Sequence, residues 1–285
     1  MSGRYLKAPL SYVVARLSTS TLAELKSEQS IELQQSFSLL NYIHKESASI
    51  NQLDFDSLST SLNKDDFLTQ VKRTCFLDTH RKKAVVYDAN SIELRTTSYT
   101  KYDDFMRDFE EIRKAFLNAV PAYANALINE VTLTYIDVIV PAKDYNLRDF
   151  FAKGESALPL NAFGETNGAL IFAKNEINEI VDATHRVFLS IEQLPQKLRR
   201  FVPEFIVEPE KKFLMPIQLE YEPQQDSDAP YAVVSTQAAQ LFDERFFGGA
   251  MCSDLFNDSH ASCRDKFKQL INKSTCNTVW EYTEN

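Results

Sequence analysis

The sequence predicts an α+β fold, with mostly antiparallel sheets and helices packed on them. Three observations carry this. Short runs rich in β-branched and aromatic residues recur along the chain, "VTLTYIDVIVP" at 131–141 being the clearest. One segment, "KYDDFMRDFEEIRKAFLNAV" at 101–120, has the three-to-four apolar spacing of a helix. The strands come in runs with helices between them, an order that favours antiparallel α+β chains. A hydrophobic share of 44% over 285 residues is enough for a sizeable core.

In chain order, "APLSYVVARLS" at 8–18 reads as a first strand, with Pro9 ahead of Val13, Val14 and Leu17. Residues 21–47 read as one or two helices, because Leu33, Phe37 and Leu40 recur at helical spacing. Residues 50–72 read as loop-rich. Ala84–Tyr87 and Ile92–Arg95 flank the turn-forming "DAN" and read as a hairpin. In the helix at 101–120, Phe105, Phe109, Ile112 and Phe116 share a stripe. Asp103 and Asp104 sit near its start, where the helix dipole favours acids, and Pro121 follows its end. The strand at 131–141 ends at Pro141.

Residues 151–168 read as a linker between an N-terminal half, 1–150, and a β-rich C-terminal half, 169–285. In the second half "ALIFAKNE", "EIVDATHRVFLSIEQL", "FVPEFIVEPE", "FLMPIQLEYEP" and "AVVSTQ" read as strands, with "DSDAP" before the last. A helix is predicted from Asn257, capped by Asp258 or Ser259, and "NTVWEY" reads as a closing strand or helix end. Both halves run from strands to a charged, Phe-bearing helix and then to β-formers. Two subdomains related by a weak duplication are one explanation of that shared order.

The formal net charge of −9 lowers the case for nucleic acid, whose binders usually carry a basic surplus. The opening "MSGRYLKAPLSYVVARLS" is broken by Lys7, Pro9 and Arg16 and does not read as a signal peptide. No run approaches the ~18 apolar residues of a membrane helix. The expected setting is the cytoplasm, with reduced thiols. Only 6 glycines are present, and no phosphate-cradling GxGxxG or GxxxxGK[ST] motif occurs, nor GxSxG or HExxH.

Four stretches resemble a sporadically distributed family of uncharacterised prokaryotic proteins. They are "YLKAPL" at 5–10, "SYTKYDDF" at 98–105, "VTLTYIDVIVP" at 131–141 and "SHASCRDKF" at 259–267. One departure is the lack of an Arg within 131–141, where the family usually has one. The resemblance implies no catalytic motif. The family's patchy distribution is similar to that of mobile or defence-associated genes.

Chemistry-bearing residues cluster near the C-terminus. His260 and Cys263 lie three apart and share a helix face. With Cys252 and Cys276 they make four zinc-type ligands, but spacings of 8, 3 and 13 match no zinc knuckle. We therefore expect no metal and no cofactor, and read these cysteines as packed side chains. A basic set, Arg73, His80, Arg81, Lys82 and Lys83 with Lys197, Arg199 and Arg200, could bind an acidic partner or a phosphate backbone, or sit solvated at a turn and a helix end. The acids Asp103, Asp104, Asp108, Glu110 and Glu111 read as the wet side of their helix.

The leading functional expectation is a non-enzymatic interaction or regulatory protein acting through a protein partner, in a prokaryotic defence or toxin-control setting. One alternative is an enzyme or nucleic-acid processor with His260, Arg81, Lys82 and the acidic helix in a groove between halves. The other is a small-ligand sensor with a Phe- and Tyr-lined concavity.

Overall fold

The structure, a computed structural model, describes residues 3–20, 25–53, 68–152, 172–203, 206, 215–249 and 251–284. It is α+β. The strands are β1 (Gly3–Tyr5), β2 (Leu10–Thr19), β3 (Tyr42–Leu53), β4 (Leu68–Asp78), β5 (Lys83–Tyr87) and β6 (Ser91–Thr96). They continue with β7 (Leu127–Ile139), β8 (Ala173–Ile180), β9 (His185–Pro195), β10 (Pro230–Phe246) and β11 (Tyr282–Glu284). The helices are α1 (Ser27–Leu39), α2 (Tyr102–Ala119), α3 (Cys252–Leu270) and α4 (Lys273–Val279).

Nine strands form one antiparallel sheet in the order β3-β4-β5-β6-β2-β7-β10-β9-β8. The remaining two, β1 and β11, pair with each other and tie the chain's ends together. β7 and β10 pair from Ile139↔Ala232 to Leu127↔Phe246, so strands from either side of residues 151–168 share the same sheet. Of that predicted linker only Phe151 and Ala152 are described. Phe151 is buried and bridges Ile271; the rest lies outside the described residues.

The period of two along each strand sorts side chains between two faces. On the first face Val13, Ala15, Leu17, Leu94, Val131 and Leu133 meet the helices. α2 supplies the predicted stripe, and Phe105, Phe109, Ile112 and Phe116 are all buried against that face. α1 packs on α2 through Leu33 and Phe37, and α2 in turn packs on α3. On the second face Tyr12, Val14, Val86, Ile136 and Val233 are covered by Val202, Met215 and neighbouring residues. A third cluster at one end gathers Phe150, Phe151, Ile271, Cys276 and Trp280.

Several predicted elements are corrected. Within the described part of 21–47 the helical reading holds for Ser27–Leu39, while 21–24 lie outside the described residues, and from Tyr42 the chain is strand β3. Asn41, at φ 70, makes the break. "EIVDATHRVFLSIEQL" is not one strand: Asp182 accepts hydrogen bonds from the Thr184 and His185 amides and turns β8 into β9. The described parts of 201–223 are irregular, and Pro203, Pro216 and Pro223, which cannot donate to a ladder, fit that outcome. α3 begins at Cys252, five residues before the predicted start, and buries Ser259 within it.

The missed start of α3 has a tertiary cause. Glu110 of α2 accepts a hydrogen bond from the Cys252 amide at 3.1 Å, capping α3 from outside its own sequence. The same carboxylate binds Arg113, which also donates to the Phe247 carbonyl at 2.6 Å. Glu110 is thus buried rather than on the wet side of α2, unlike Asp103 and Glu111.

Candidate functional site

α3 crosses β7 and β10 on the first sheet face. Helical spacing brings His260, Cys263, Arg264, Phe267 and Lys268 onto one side of it. Beneath them β7 presents Tyr135 and Asp137, and β10 presents Thr236. Tyr99, from the turn before α2, Tyr5 at the end of β1, and Ala8–Leu10 at the entry to β2 complete the walls. Together they line a half-open cavity of about 240 Å3 with a largely apolar lining.

The upper wall is a polar-aromatic relay. The Tyr135 hydroxyl lies 2.8 Å from His260 Nδ1 and 3.4 Å from the Tyr99 hydroxyl. The network is satisfied if Tyr99 donates to Tyr135, Tyr135 donates to His260, and the imidazole proton sits on Nε2. Tyr102 stacks on the imidazole with centroids 4.1 Å apart, fixing the ring plane. Burial, assisted by Arg264, pushes His260 down to about 4, so it is neutral across physiological pH. Burial also raises Tyr135 well above the usual phenol range and Tyr99 to about 12.

The floor is different, because its polar groups lack partners. Asp137 is buried, at 5% exposure, and makes no side-chain hydrogen bond or ion pair among the described residues. Its carboxyl opens onto the cavity. Burial alone raises its pKa to about 8. The Thr236 hydroxyl on the next strand is also buried without a hydrogen-bond partner among the described residues. Thr236 stands opposite Tyr135 and Val234 opposite Asp137, so Thr236 and Asp137 are diagonal neighbours on one face.

His260 and Cys263 therefore do come together, but the thiol is part of the wall. Cys263 donates to the Leu133 and Thr236 carbonyls at 3.6 and 3.7 Å, and burial holds it far above the usual thiol range. Burial likewise raises Cys252 strongly and Cys276 to about 12. All four cysteines are buried, and none forms a disulfide among the described residues. They lie in separate clusters, except that Cys252 and Cys263 share the large first-face core. Among the described residues no group of three metal-ligating side chains occurs. No described helix is long and apolar enough to cross a membrane.

The basic set does not line this cavity. Arg81 pairs with Glu46 at 2.6 Å and Lys82 reaches Gln218 at 3.3 Å. Lys83 pairs with Asp108 of α2. Arg199 binds Glu222 at 2.9 Å, and Arg200 binds Glu192 at 2.6 Å and lies over the Phe172 ring. These side chains work as intramolecular clasps. Arg81 and Lys82 are not brought to His260 as the enzyme alternative required, and the acidic helix reaches it only at its start, where Tyr102 stacks on the imidazole and Asp103 acts on it electrostatically.

Two further concavities among the described residues bear comparison. A groove of about 920 Å3 runs along 140–148 and 220–230, with Gln193 and Gln196 also in its lining. On the second sheet face, a polar recess of about 230 Å3 holds Arg16, Arg73 and Arg95 around Glu93. Burial opposes ionisation of Glu93, yet the three guanidinium groups outweigh it and hold the carboxyl down at about 2. There the acid is compensated, and Arg73 pairs with Asp88 as well. The cavity under α3 is the one whose buried acid lacks compensation.

No protein-family model matches the chain, and no curated protein matches it.

Proposed function

We propose that the protein is a non-enzymatic regulatory protein that senses a small ligand in the cavity under α3. The reading rests on one observation: the Asp137 carboxyl is buried, opens onto a tyrosine-lined cavity, and has no partner among the described residues. Leaving a carboxyl in that condition is costly, and such groups concentrate at binding sites. Support comes also from the chain's own layout. The four stretches that resemble the prokaryotic family, 5–10, 98–105, 131–141 and 259–267, each contribute wall residues to this one cavity. The protonated thiols and the neutral, hydrogen-bonded His260 favour binding over nucleophilic chemistry.

In this reading the signal passes to a protein partner in the cytoplasm. The edge strand β8 favours a partner, because Ile177 and Ile180 are exposed on it, flanked by exposed Phe172 and Val181. Lys174, Glu176 and Glu179 on the same strand would restrict which edge it accepts.

Ligand-observed NMR with a chemically mixed fragment library tests the cavity. Ala8 is exposed at the rim, so Ala8→Trp should plug the mouth and leave the fold intact. Fragments should bind the parent, raise its melting temperature, and lose binding in the variant. Fragments that bind both proteins equally, or no binding at all, would overturn the reading.

A further inference from the structure

We infer that the cavity under α3 is an amine site: it takes a small organic monocation with an apolar or aromatic body, its ammonium held by the Asp137 carboxylate and the Thr236 hydroxyl. The inference rests on the cavity reading above and names the ligand class.

The argument starts from what the floor offers. An ammonium has three donors and no acceptor. Asp137 and Thr236 supply acceptor oxygens that nothing described in the chain occupies, and they sit diagonally on adjacent strands. Two other polar wall groups are already committed. His260 Nδ1 belongs to Tyr135, and the Cys263 thiol belongs to two backbone carbonyls. A ligand that must donate thus finds partners on the floor, whereas an anion finds a carboxyl there.

Charge compensation points the same way. A buried carboxyl ionises readily only beside a positive charge. The described chain supplies such partners to Glu93 and Glu110 but not to Asp137. The basic side chains lining this cavity, Arg264 and Lys268, are exposed on α3. An arriving ammonium would complete the ion pair. The faces of Tyr99, Tyr135 and Phe267 would favour a cation and its hydrocarbon body. Beyond Asp137 the lining offers no second acid for a diamine's far ammonium, only the exposed Arg264 and Lys268, which selects a monocation over a diamine. The volume, about 240 Å3, is below the ~300–1,000 Å3 of drug-sized sites and limits the occupant to a small molecule.

The test uses three probes of one shape: phenethylamine, 2-phenylethanol and phenylacetate, titrated calorimetrically at pH 8. The amine should bind about tenfold or more tighter than the alcohol, and phenylacetate should bind weakest. Asp137→Asn should fold, as its melting curve will show, and should bind amine and alcohol alike. Thr236→Val should weaken the amine several-fold and the alcohol less. Equal binding of amine and alcohol by the parent would overturn the amine inference, as would an amine preference that survives in Asp137→Asn. If the alcohol or the acid binds best and Ala8→Trp blocks it, the cavity stands and only the ligand class falls. If none of the three binds although library fragments do, the amine class again falls alone. If no fragment binds either, both readings fall.

Discussion

Asp137 shows how a residue can be visible in a sequence and still go unread. "VTLTYIDVIVP" places Val131, Leu133, Tyr135 and Asp137 on one phase of a strand. An acid on the buried phase is the signal, and attention to the apolar members alone passes over it. By contrast His260 and Cys263 stood out because chemistry-bearing residues cluster there, and their shared helix face was legible from spacing. What lies opposite them depends on strand pairing, which local pattern does not specify. The missing partner makes a stability prediction with a definite sign. In the unfolded chain Asp137 loses its proton near 3.8, and in the fold only near about 8. Below that window both states hold the proton and the side chain contributes no pH dependence. As pH rises through it the unfolded state releases the proton first, so stability falls, and above it the full cost is present. Asp137→Asn removes this slope. Its melting temperature should match the parent near pH 4 and exceed it at pH 8, by on the order of 5 °C. His260, Cys263, Arg264 and Lys268 of α3, and Tyr5, Tyr99 and Tyr135, face the same cavity in both proteins. A parent that is more stable than the variant at pH 8 would mean that Asp137 has a stabilising partner.

The elements read most reliably are those whose pattern and packing agree. α2 is the best case: its stripe, acidic start and Pro121 stop are all local, and the fold buries the stripe as expected. The hairpin of β5 and β6 is equally local, with Asp88 accepting from the Asn90 amide and the Ser91 hydroxyl in its turn. β3 and the start of α3 are the opposite cases. β3 carries "YIHKESASINQL", a polar run that becomes a strand because it pairs with β4 along its length. α3 begins where Glu110 of another helix caps it. Neither cause can be seen in a local window. The packing of α2 has a direct test. Phe109 and Phe116 are each 1% exposed, against Phe256 and against Phe37 with Tyr87 respectively. Truncating a buried Phe costs about 3–5 kcal/mol. Phe109→Ala and Phe116→Ala should each lower the denaturant midpoint markedly at an unchanged slope, measured by circular dichroism in urea. Midpoints equal to the parent's would show that this helix face is not packed in solution.

At the scale of the whole molecule, what the sequence left open is how distant segments meet, and Trp280 reports on that. It is 1% exposed. Its ring packs edge-on against Tyr5 at 5.3 Å and stacks with Phe150 at 5.7 Å and Phe267 at 6.2 Å. Those partners come from the first strand, from the turn after β7, and from α3. The backbone adds to the closure: β1 pairs with β11, and the Lys7 amide donates to the Trp280 carbonyl at 3.0 Å. The indole cannot lose its surroundings unless both ends of the chain and its middle separate. The sheet imposes the same coupling from within. β7 has β2 on one side and β10 on the other, so opening either ladder exposes a long apolar strand edge. Two halves folding independently would unfold in separate steps, with Trp280 following the C-terminal half alone. A shared sheet closed by its own termini should unfold in one step. We therefore expect the urea transition followed by Trp280 fluorescence to coincide in midpoint and slope with the one followed by far-ultraviolet circular dichroism. Tyr5→Ala, which removes one wall of the indole's pocket, should shift both curves together. A fluorescence transition that precedes the dichroism transition, or a Tyr5→Ala shift confined to fluorescence, would show that the terminal cluster opens as a separate unit and that the sheet does not couple the two halves.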